Sequence, residues 1–503
     1  MVYERRKYFP RERKYKKMKL IYNVEDKPKL KSNLVFAFQQ LLSIIAATLL
    51  VPVLVNAAAG EQILNQAAAL FGAGAGTLTY IAFTRKKSPV YLGSSFAFIS
   101  PLIGACAFGY FGILLGAIFA GLVYVIIATI IKFTGTKWVD KLLPPVIIGP
   151  TVALIGLSLC GSAIANVNGS NAGGYNLIHI LCGLIAFGAT VLASVKGSKS
   201  AKLIPFIIGV AAGYVAAALF TIIGNIAQVP YLQVIDFSPL VNNFKEITFG
   251  SFIRVPNFLV MGIFSEGLSK LNGWQGVAQI ALLFAPVAFV VLAEHIADHK
   301  NLSTVINRDL IKEPGLTRTL LGDGVGSMVG SIFGGCPNTT YGESVGCVAI
   351  TRNASVSTII IAAIYSMVLS FFTPFVEFVN TIPACVIGGI CIALYGFIAV
   401  SGLKMIQNVD LNESKNLFVV SAILVPGIGG LTLNFGGIQI TAIATALIIG
   451  ILTNLLVKEK AAPAPLEEVI EEPVVEEVVE EVIEEVEATE EVAEETVEVT
   501  EEA

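Results

Sequence analysis

The chain has 503 residues, of which 55% are hydrophobic and 14% are charged, and its formal net charge at pH 7 is −4. This composition excludes an ordinary soluble globular protein and indicates a polytopic membrane protein. The charges are segregated, because residues 1–32 carry 12 Lys and Arg against 4 Asp and Glu, whereas residues 461–503 carry 18 Glu and no base. No phosphate loop, metal cluster or nucleophile–base pair occurs in the apolar runs, so we expect neither an enzyme nor a cofactor, metal or nucleic-acid site.

The apolar runs predict an all-α protein with fourteen transmembrane segments. Most runs approach the length of a bilayer-spanning helix, although several are too short to cross alone. The first run lacks a small-residue cleavage site and is interpreted as a retained span. The third and tenth runs are short and are broken by Pro, Gly, Ser and Thr. The predicted spans are 34–55, 62–83, 90–106, 111–131, 143–165, 175–195, 203–224, 276–298, 319–335, 337–350, 355–375, 383–403, 416–433 and 437–457.

The distribution of basic residues predicts the orientation of these spans. If residues 1–32 are cytoplasmic, 18 of the 21 Lys and Arg residues that follow lie on cytoplasmic connections or after the last span. This bias follows the positive-inside rule and predicts a multi-pass plasma-membrane protein with both termini in the cytoplasm. The predicted regions are a basic cytoplasmic segment (1–32), a first seven-span repeat (33–225), an extracellular loop (226–275), a second seven-span repeat (276–457) and an acidic, disordered cytoplasmic tail (458–503).

The two predicted halves share an ordered set of matching residues. Glycines at 72, 74 and 76 recur at 322, 324 and 326, a spacing of 250 residues. Gly93-Ser94 matches Gly342-Glu343 at a spacing of 249, and a Pro-x-x-x-Ile-Gly pattern recurs at a spacing of 239. Because seven spans is an odd number, the second copy would enter the membrane from the opposite side, as in the inverted repeats of secondary transporters. For the spaced glycines themselves, close helix packing is the favoured explanation.

The broken tenth span, Cys336 to Gly346, contains a carboxylate, hydroxyl groups and glycines. Irregular backbone at membrane depth is tolerated only where protein buries it or where it lines a polar cavity. An ionisable residue in a span is a candidate functional residue, which singles out Glu343. Span 8 adds Glu294 and Asp298, which share one helix face because they are four residues apart. Asp298 and His299 could alternatively form a helix end outside the membrane.

Three segments resemble the bacterial uracil permeases of the nucleobase/ascorbate transporter family. They are Tyr91–Phe98, Ala293–His295 and the highly specific run Cys336–Glu343, and the resemblance covers residues 33 to 457. Ser344 departs from the usual Asn of the family. Asp298 stands where uracil permeases commonly have His and many purine carriers have Asp, so it leaves the proton-coupling residue open.

The resemblance implies a site for a flat ring with two N–H donors and two carbonyl acceptors. Glu294 and Glu343 would accept from the ring N–H groups, and the backbone N–H groups of Phe96 and Gly342 would donate to its carbonyls. The Phe96 ring would either stack on the substrate or pack against apolar neighbours. The further substrate-binding candidates are Tyr341, Ser95, Tyr395 and Ala47.

The resulting prediction is a secondary active transporter that imports uracil by proton symport, with Glu294 and Asp298 in proton coupling. The family division implies alternating access between a core domain of spans 1–4 and 8–11 and a gate domain of the remaining spans, and it suggests a homodimer in the lipid bilayer. The alternatives are a xanthine or other purine proton symporter, or a passive nucleobase facilitator or channel.

Overall fold

The structure is a computed structural model that describes residues 19–169, 174–258, 270–271, 273–407, 409–435 and 438–457. The predictions for residues 1–18 and for the tail 458–503 lie outside the described residues. The elements given below belong to one compact unit that ends at Leu456. The α-helices are α1 (Leu30–Ala59), α2 (Gln66–Phe83), α3 (Ile99–Cys106), α4 (Gly109–Thr134), α5 (Lys137–Leu142), α6 (Pro145–Ser158), α7 (Cys160–Asn168), α8 (Leu177–Lys196), α9 (Pro205–Ala227), α10 (Ser238–Phe244), α11 (Trp274–Ile306), α12 (Leu316–Ile332), α13 (Gly342–Thr351), α14 (Val356–Leu369), α15 (Thr373–Asn380), α16 (Ala384–Ile406), α17 (Ser414–Ile428) and α18 (Ala442–Leu456).

Within the described residues, seven helical stretches are long and apolar enough to cross a membrane. They are α1, α4, α6 with α7, α8, α9, α11 and α16. Four further apolar helical stretches are shorter: Phe96–Cys106, α14, α17 and α18. Local sequence signals set several helix ends. Asn65 caps α2 by accepting a hydrogen bond from the Ala68 N–H at 2.9 Å, and α1 is followed by Gly60, whose φ of 72° suits glycine.

The spaced glycines lie at a close crossing of α2 and α12. A methyl group built on Gly76 would lie 2.7 Å from the carbonyl oxygen of Gly326, and one built on Gly326 would lie 2.7 Å from that of Gly76. Gly72 and Gly330 approach each other in the same reciprocal way. Side chains would therefore push the two helices apart. Close packing of α2 against α12 therefore accounts for the glycines.

The two broken spans meet in a short antiparallel pairing. Strand β1 (Leu92–Ser94) pairs with β2 (Asn338–Thr340), and Gly93 is opposite Thr339. A second pair, β3 (Leu433–Phe435) and β4 (Ile438–Ile440), lies before α18. The strands begin at Leu92 and at Asn338, and the opposed central residues Gly93 and Thr339 have the same spacing of 246 residues. The spacing of 249 inferred from the glycines is thus wrong by three residues, because the helix after each strand begins at Phe96 and at Gly342.

The helices pack into two groups. In the first group, α2 and α4 contact α12, α4 contacts α11, and α1 and α2 contact α14. In the second group, α6, α7 and α8 contact α16, α8 contacts α9, and α17 contacts α6 and α18. Smaller contacts join the groups, among them those of α11 with α6 and α18 and of α1 with α9. The broken spans belong to the first group, where β1 contacts α1 and α2 and β2 contacts α11 and α12.

The described end of the N-terminal segment runs beside the connection between α13 and α14. Tyr22 forms a parallel bridge with Asn353. The Ala354 N–H donates to the Tyr22 carbonyl at 2.9 Å, and the Val356 N–H donates to the Val24 carbonyl at 3.1 Å. Backbone pairing therefore fixes this segment to the end of the helix that carries Glu343.

Ion pairs connect the described N-terminal segment, the residues after α11 and the residues after α2. Arg308, just after α11, pairs with Glu25 and lies 3.4 Å from Glu313, which also pairs with Lys87 after α2. The Lys87 ammonium and then the Arg308 guanidinium hold the pKa of the Glu313 carboxyl below its usual value. The pairs are partly exposed, so their stabilising effect is screened by solvent and salt.

Candidate substrate-binding site

A cavity of about 390 Å³ lies between the two helix groups. From the first group it is lined by α11, by β2 and by the starts of the helical stretches after both broken spans. From the second group it is lined by residues of α6, α9 and α16. The predicted site residues that line it are Ser95, Phe96, Glu294, Asp298, Tyr341, Gly342 and Glu343. The structure therefore brings seven of the nine predicted residues to one cavity.

Two helix N-termini face this cavity. Ser95 and Tyr341 have extended backbones, with ψ of 126° and 123°, and the helical stretches begin at the next residues, Phe96 and Gly342. The first N–H groups of a helix have no intrahelical acceptor. They also carry the positive end of the helix dipole, which favours acceptor atoms of a ligand. The chain thus places the starts of both helical stretches, where backbone donors lack intrahelical acceptors, at the cavity.

The two glutamates enter the cavity from different elements. Glu294 lies on α11 and Glu343 in the first turn of α13, and both side chains are half-buried. Gly342, beside Glu343, is exposed to the cavity. A ring between these elements would meet carboxylate acceptors and backbone donors together, which is the complement of an amide-like heterocycle.

Asp298 is an interior residue of a helix. Helix α11 continues to Ile306, and Asp298 is 8% exposed. Its Oδ2 accepts a hydrogen bond from the Thr340 hydroxyl at 2.8 Å, which connects α11 to β2. His299 is fully buried and lies 2.7 Å from the Tyr80 hydroxyl. The alternative that Asp298 and His299 form an exposed helix end is therefore wrong.

The predicted aromatic residues take different positions. Tyr341 lines the cavity but is only 3% exposed, and its hydroxyl donates to the Ser94 carbonyl at 2.9 Å. The Phe96 ring lines the cavity and meets the Tyr395 ring edge to face, with centroids 5.9 Å apart. Tyr395 is 1% exposed and does not line the cavity. It packs behind Phe96, so its contact with a ligand would be indirect.

Ala47 is also absent from the cavity lining. It is a 1% exposed residue of α1. Helix α1 reaches the cavity through Ser43, one turn earlier. Ala47 was proposed from the family resemblance, and its contact with a substrate stays a prediction.

Ser344 connects Glu343 to α1. Its hydroxyl oxygen accepts a hydrogen bond from Gln40 Nε2 at 2.6 Å and lies 3.3 Å from the Tyr91 N–H. Gln40 and Ser344 are both buried. Gln40 was not predicted as a site residue, although a glutamine within a long apolar run was an available signal.

Lys202 and Lys404 line the part of the cavity away from the acidic residues. Both side chains are exposed and line the cavity, and they are its basic lining residues among those described. Lys202 follows α8 and Lys404 is near the end of α16, both on connections that the charge pattern places in the cytoplasm. The cavity therefore reaches from the glutamates toward the predicted cytoplasmic side.

Comparison with known proteins decides the family. The Permease family model matches residues 31–436. The chain is 37% identical to a uracil permease of Bacillus caldolyticus over 456 residues, which is 90% of this chain and 98% of the relative. It is 36% identical to the Bacillus subtilis uracil permease, covering 88% of this chain and 96% of the relative. The Escherichia coli K12 uracil permease is 33% identical, with coverage of 89% and 96%.

The chain belongs to the permease family of the bacterial uracil permeases. This membership identifies it as a multi-pass membrane transporter and not an enzyme. Its matched region contains both broken spans and the cavity.

Solved structures support a transporter fold at low sequence identity. The transmembrane domain of the cyanobacterial bicarbonate transporter BicA matches with a TM-score of 0.53 and 12% identity, over 86% of this chain and all of that chain. SLC26A9 matches with a TM-score of 0.58 and 12% identity, over 85% of this chain and 66% of that chain. At this identity the similarity shows the fold alone. The permease fold of this chain is thus shared with transporters of other families.

Proposed function

We propose that this permease imports uracil by proton symport. The observation that carries the proposal is the convergence of Glu294, Glu343 and two helix N-termini on one cavity. Uracil has two ring N–H donors and two carbonyl acceptors, which this arrangement can satisfy. Proteins named uracil permease at 33–37% identity over most of the chain support the same substrate.

The proposed contacts would select uracil through its polar groups. Glu294 and Glu343 accept from the ring N–H groups, and the Phe96 and Gly342 N–H groups donate to the carbonyls. A site built on such hydrogen bonds discriminates strongly against an analogue that lacks one of them, because a buried partner is then left unpaired. The cavity volume of about 390 Å³ is within the range of about 300 to 1,000 Å³ for ligand sites.

Alternating access is proposed to occur between the two helix groups. The first group would be the core domain that carries the site, and the second group would be the gate domain. The limited contacts between the groups and the position of the cavity between them support this division. With the cavity reaching Lys202 and Lys404, the structure corresponds to an inward-facing state if both termini are cytoplasmic.

A fourteen-span inverted repeat is part of the same proposal. The antiparallel pairing of β1 with β2 and the reciprocal approach of Gly76 and Gly326 support a two-fold relation between the halves. Binding sites in inverted-repeat transporters form where broken helices meet near the bilayer midplane. A homodimer in the lipid bilayer stays a prediction.

Proton coupling would be sufficient to concentrate the substrate. One charge crossing a potential of 100 mV releases about 2.3 kcal/mol, which corresponds to roughly fifty-fold accumulation before any pH gradient is added. Glu294 and Asp298, one turn apart on α11, are the proposed coupling pair. A protonated pair would let the loaded carrier reorient without exposing a charge.

The test uses the purified full-length protein in proteoliposomes. Labelled uracil should accumulate under an inward proton gradient, and a protonophore should abolish the accumulation. Unlabelled xanthine should compete weakly. Strong competition by xanthine would instead indicate a purine carrier, and equilibration without accumulation would indicate a passive facilitator.

A further inference from the structure

A buried histidine–carboxylate pair lies beside the proposed coupling residues. His295 Nδ1 is 2.7 Å from Asp323 Oδ2, and both side chains are fully buried. Asp323 Oδ1 has no hydrogen-bond partner among the described residues. An ionised carboxylate with one unpaired oxygen is costly away from water. An additional proton on this pair would remove that unpaired charge.

The hydrogen-bond geometry accommodates the pair with or without an additional proton. His295 Nε2 and the Leu316 carbonyl oxygen are both 3.1 Å from the Thr319 hydroxyl oxygen. If this hydroxyl donates to Nε2, the ring proton is on Nδ1 and is donated to an Asp323 carboxylate. If the hydroxyl donates to Leu316, Nε2 carries a proton, and Asp323 then donates from a carboxylic acid to Nδ1 or faces an imidazolium. The two orientations of the Thr319 hydroxyl thus correspond to two states of the His295–Asp323 pair that differ by one proton.

Neighbouring groups connect the His295–Asp323 pair to the proposed substrate cavity. Thr339, which lines the cavity, donates from its hydroxyl to Asp323 Oδ2 at 3.4 Å. His299 stacks on His295 with ring centroids 4.0 Å apart. Its Nδ1 lies 2.7 Å from the His295 carbonyl and its Nε2 lies 2.7 Å from the Tyr80 hydroxyl, so both ring nitrogens of His299 have partners outside the pair. No lysine or arginine in the described part of the chain pairs with Asp323. The titratable groups that face the pair are Tyr80 on α2, Tyr124 on α4, and Glu294, Asp298 and His299 on α11.

We infer that His295 and Asp323 form a second protonation site that holds a transported proton. The inference rests on the proposed function, in which Glu294 accepts from the substrate as an ionised carboxylate while the proton of the Glu294–Asp298 pair lies on Asp298. A proton retained on the neighbouring pair would compensate that charge while leaving the Glu294 oxygens free. The proton enters from water on the outer side, forms an N–H or O–H bond within the pair, and returns to cytoplasmic water after the substrate leaves. No other bond changes.

The test measures protons taken up when uracil binds to the purified full-length protein. Calorimetry in buffers of different ionisation enthalpy gives this number. Asp323→Asn should take up one proton fewer per uracil than the parent. The double variant with Asp298→Asn should likewise take up one proton fewer than Asp298→Asn alone. An infrared band of a protonated carboxylic acid that changes on uracil binding should be lost in Asp323→Asn. The matched control is Asp309→Asn, which removes an exposed acid and should leave both signals unchanged.

His295→Gln provides a second test, because it also removes the titratable pair while keeping a side-chain donor. Either variant that remains monodisperse and folded is sufficient. An unchanged proton number and infrared band in that variant would overturn the inference while leaving proton symport intact. If the parent protein itself takes up no proton and shows no pH-driven accumulation, both the inference and the proposed coupling are wrong.

Discussion

Replacing Glu343 with Gln tests whether its carboxylate binds the substrate. The side chain lies in the first turn of α13 and faces the cavity. Glutamine keeps the shape of the side chain but removes its charge, so a charge-assisted hydrogen bond from a ring N–H becomes a neutral one. The adjacent Gly342 N–H and the helix start would be retained, which confines the change to the carboxylate.

The expected loss follows from the type of hydrogen bond. Hydrogen bonds to charged groups contribute about 1.5–3 kcal/mol. A neutral hydrogen bond contributes about 0.5–1.5 kcal/mol, so the substitution should cost about 1–1.5 kcal/mol. At 1.4 kcal/mol for each factor of ten, this weakens uracil binding by about 5- to 12-fold. Because Glu343 is half-buried, water can solvate the amide that replaces it, so the protein should remain folded.

Calorimetric titration of purified protein with uracil measures this change directly. Glu313→Gln is the matched control, because it removes the same carboxylate from a side chain that is 53% exposed and does not line the cavity. It should bind uracil with the affinity of the parent. Parental affinity in Glu343→Gln would refute the proposed role of Glu343.

Three other predictions concern coupling and stability. Asp298→Asn should retain measurable uracil exchange between preloaded vesicles but lose accumulation driven by a pH gradient; parental accumulation would remove it from coupling. Ser344→Ala should destabilise the protein by about 1–3 kcal/mol in thermal or chemical unfolding, because the buried Gln40 donor loses its acceptor; parental stability would contradict this. The lowered pKa of Glu313 means that its pairing with Lys87 stabilises the protein above about pH 4.5 and is lost as pH falls through the folded-state pKa. The stability cost of Glu313→Gln should therefore disappear in acid.

The sequence was sufficient to single out the acidic residues of the candidate site, because charged residues stand out against hydrophobic runs. Glu294 and Glu343 stood out against apolar runs, and the four-residue spacing placed Asp298 on the face of Glu294. The structure places all three at one cavity. Asp323 was overlooked, because it lies between glycines whose spacing was explained by helix packing alone.

Long-range partners could not be derived in the same way. Gln40 and Ser344 are 304 residues apart, and no periodicity indicates that their side chains meet. The pairing of Tyr22 with Asn353 depends on the path of an irregular segment. The three-residue error in aligning the broken spans has a related cause, since glycines mark where backbones approach and not which residues begin a helix. Ala47 and Tyr395 were displaced from the cavity by packing details of this kind.

The pairing of β1 with β2 has a consequence for how substrate preference could evolve. Backbone hydrogen bonds hold the two broken spans together, and these bonds are largely indifferent to side-chain identity. Mutations at the strand ends can therefore change the side chains that contact a ligand without breaking the pairing of β1 with β2. A laboratory selection for new nucleobases should accumulate its substitutions at side chains around Ser95 and Glu343 and leave Gly93 unchanged, because a methyl group there would lie 2.3 Å from the Tyr341 ring.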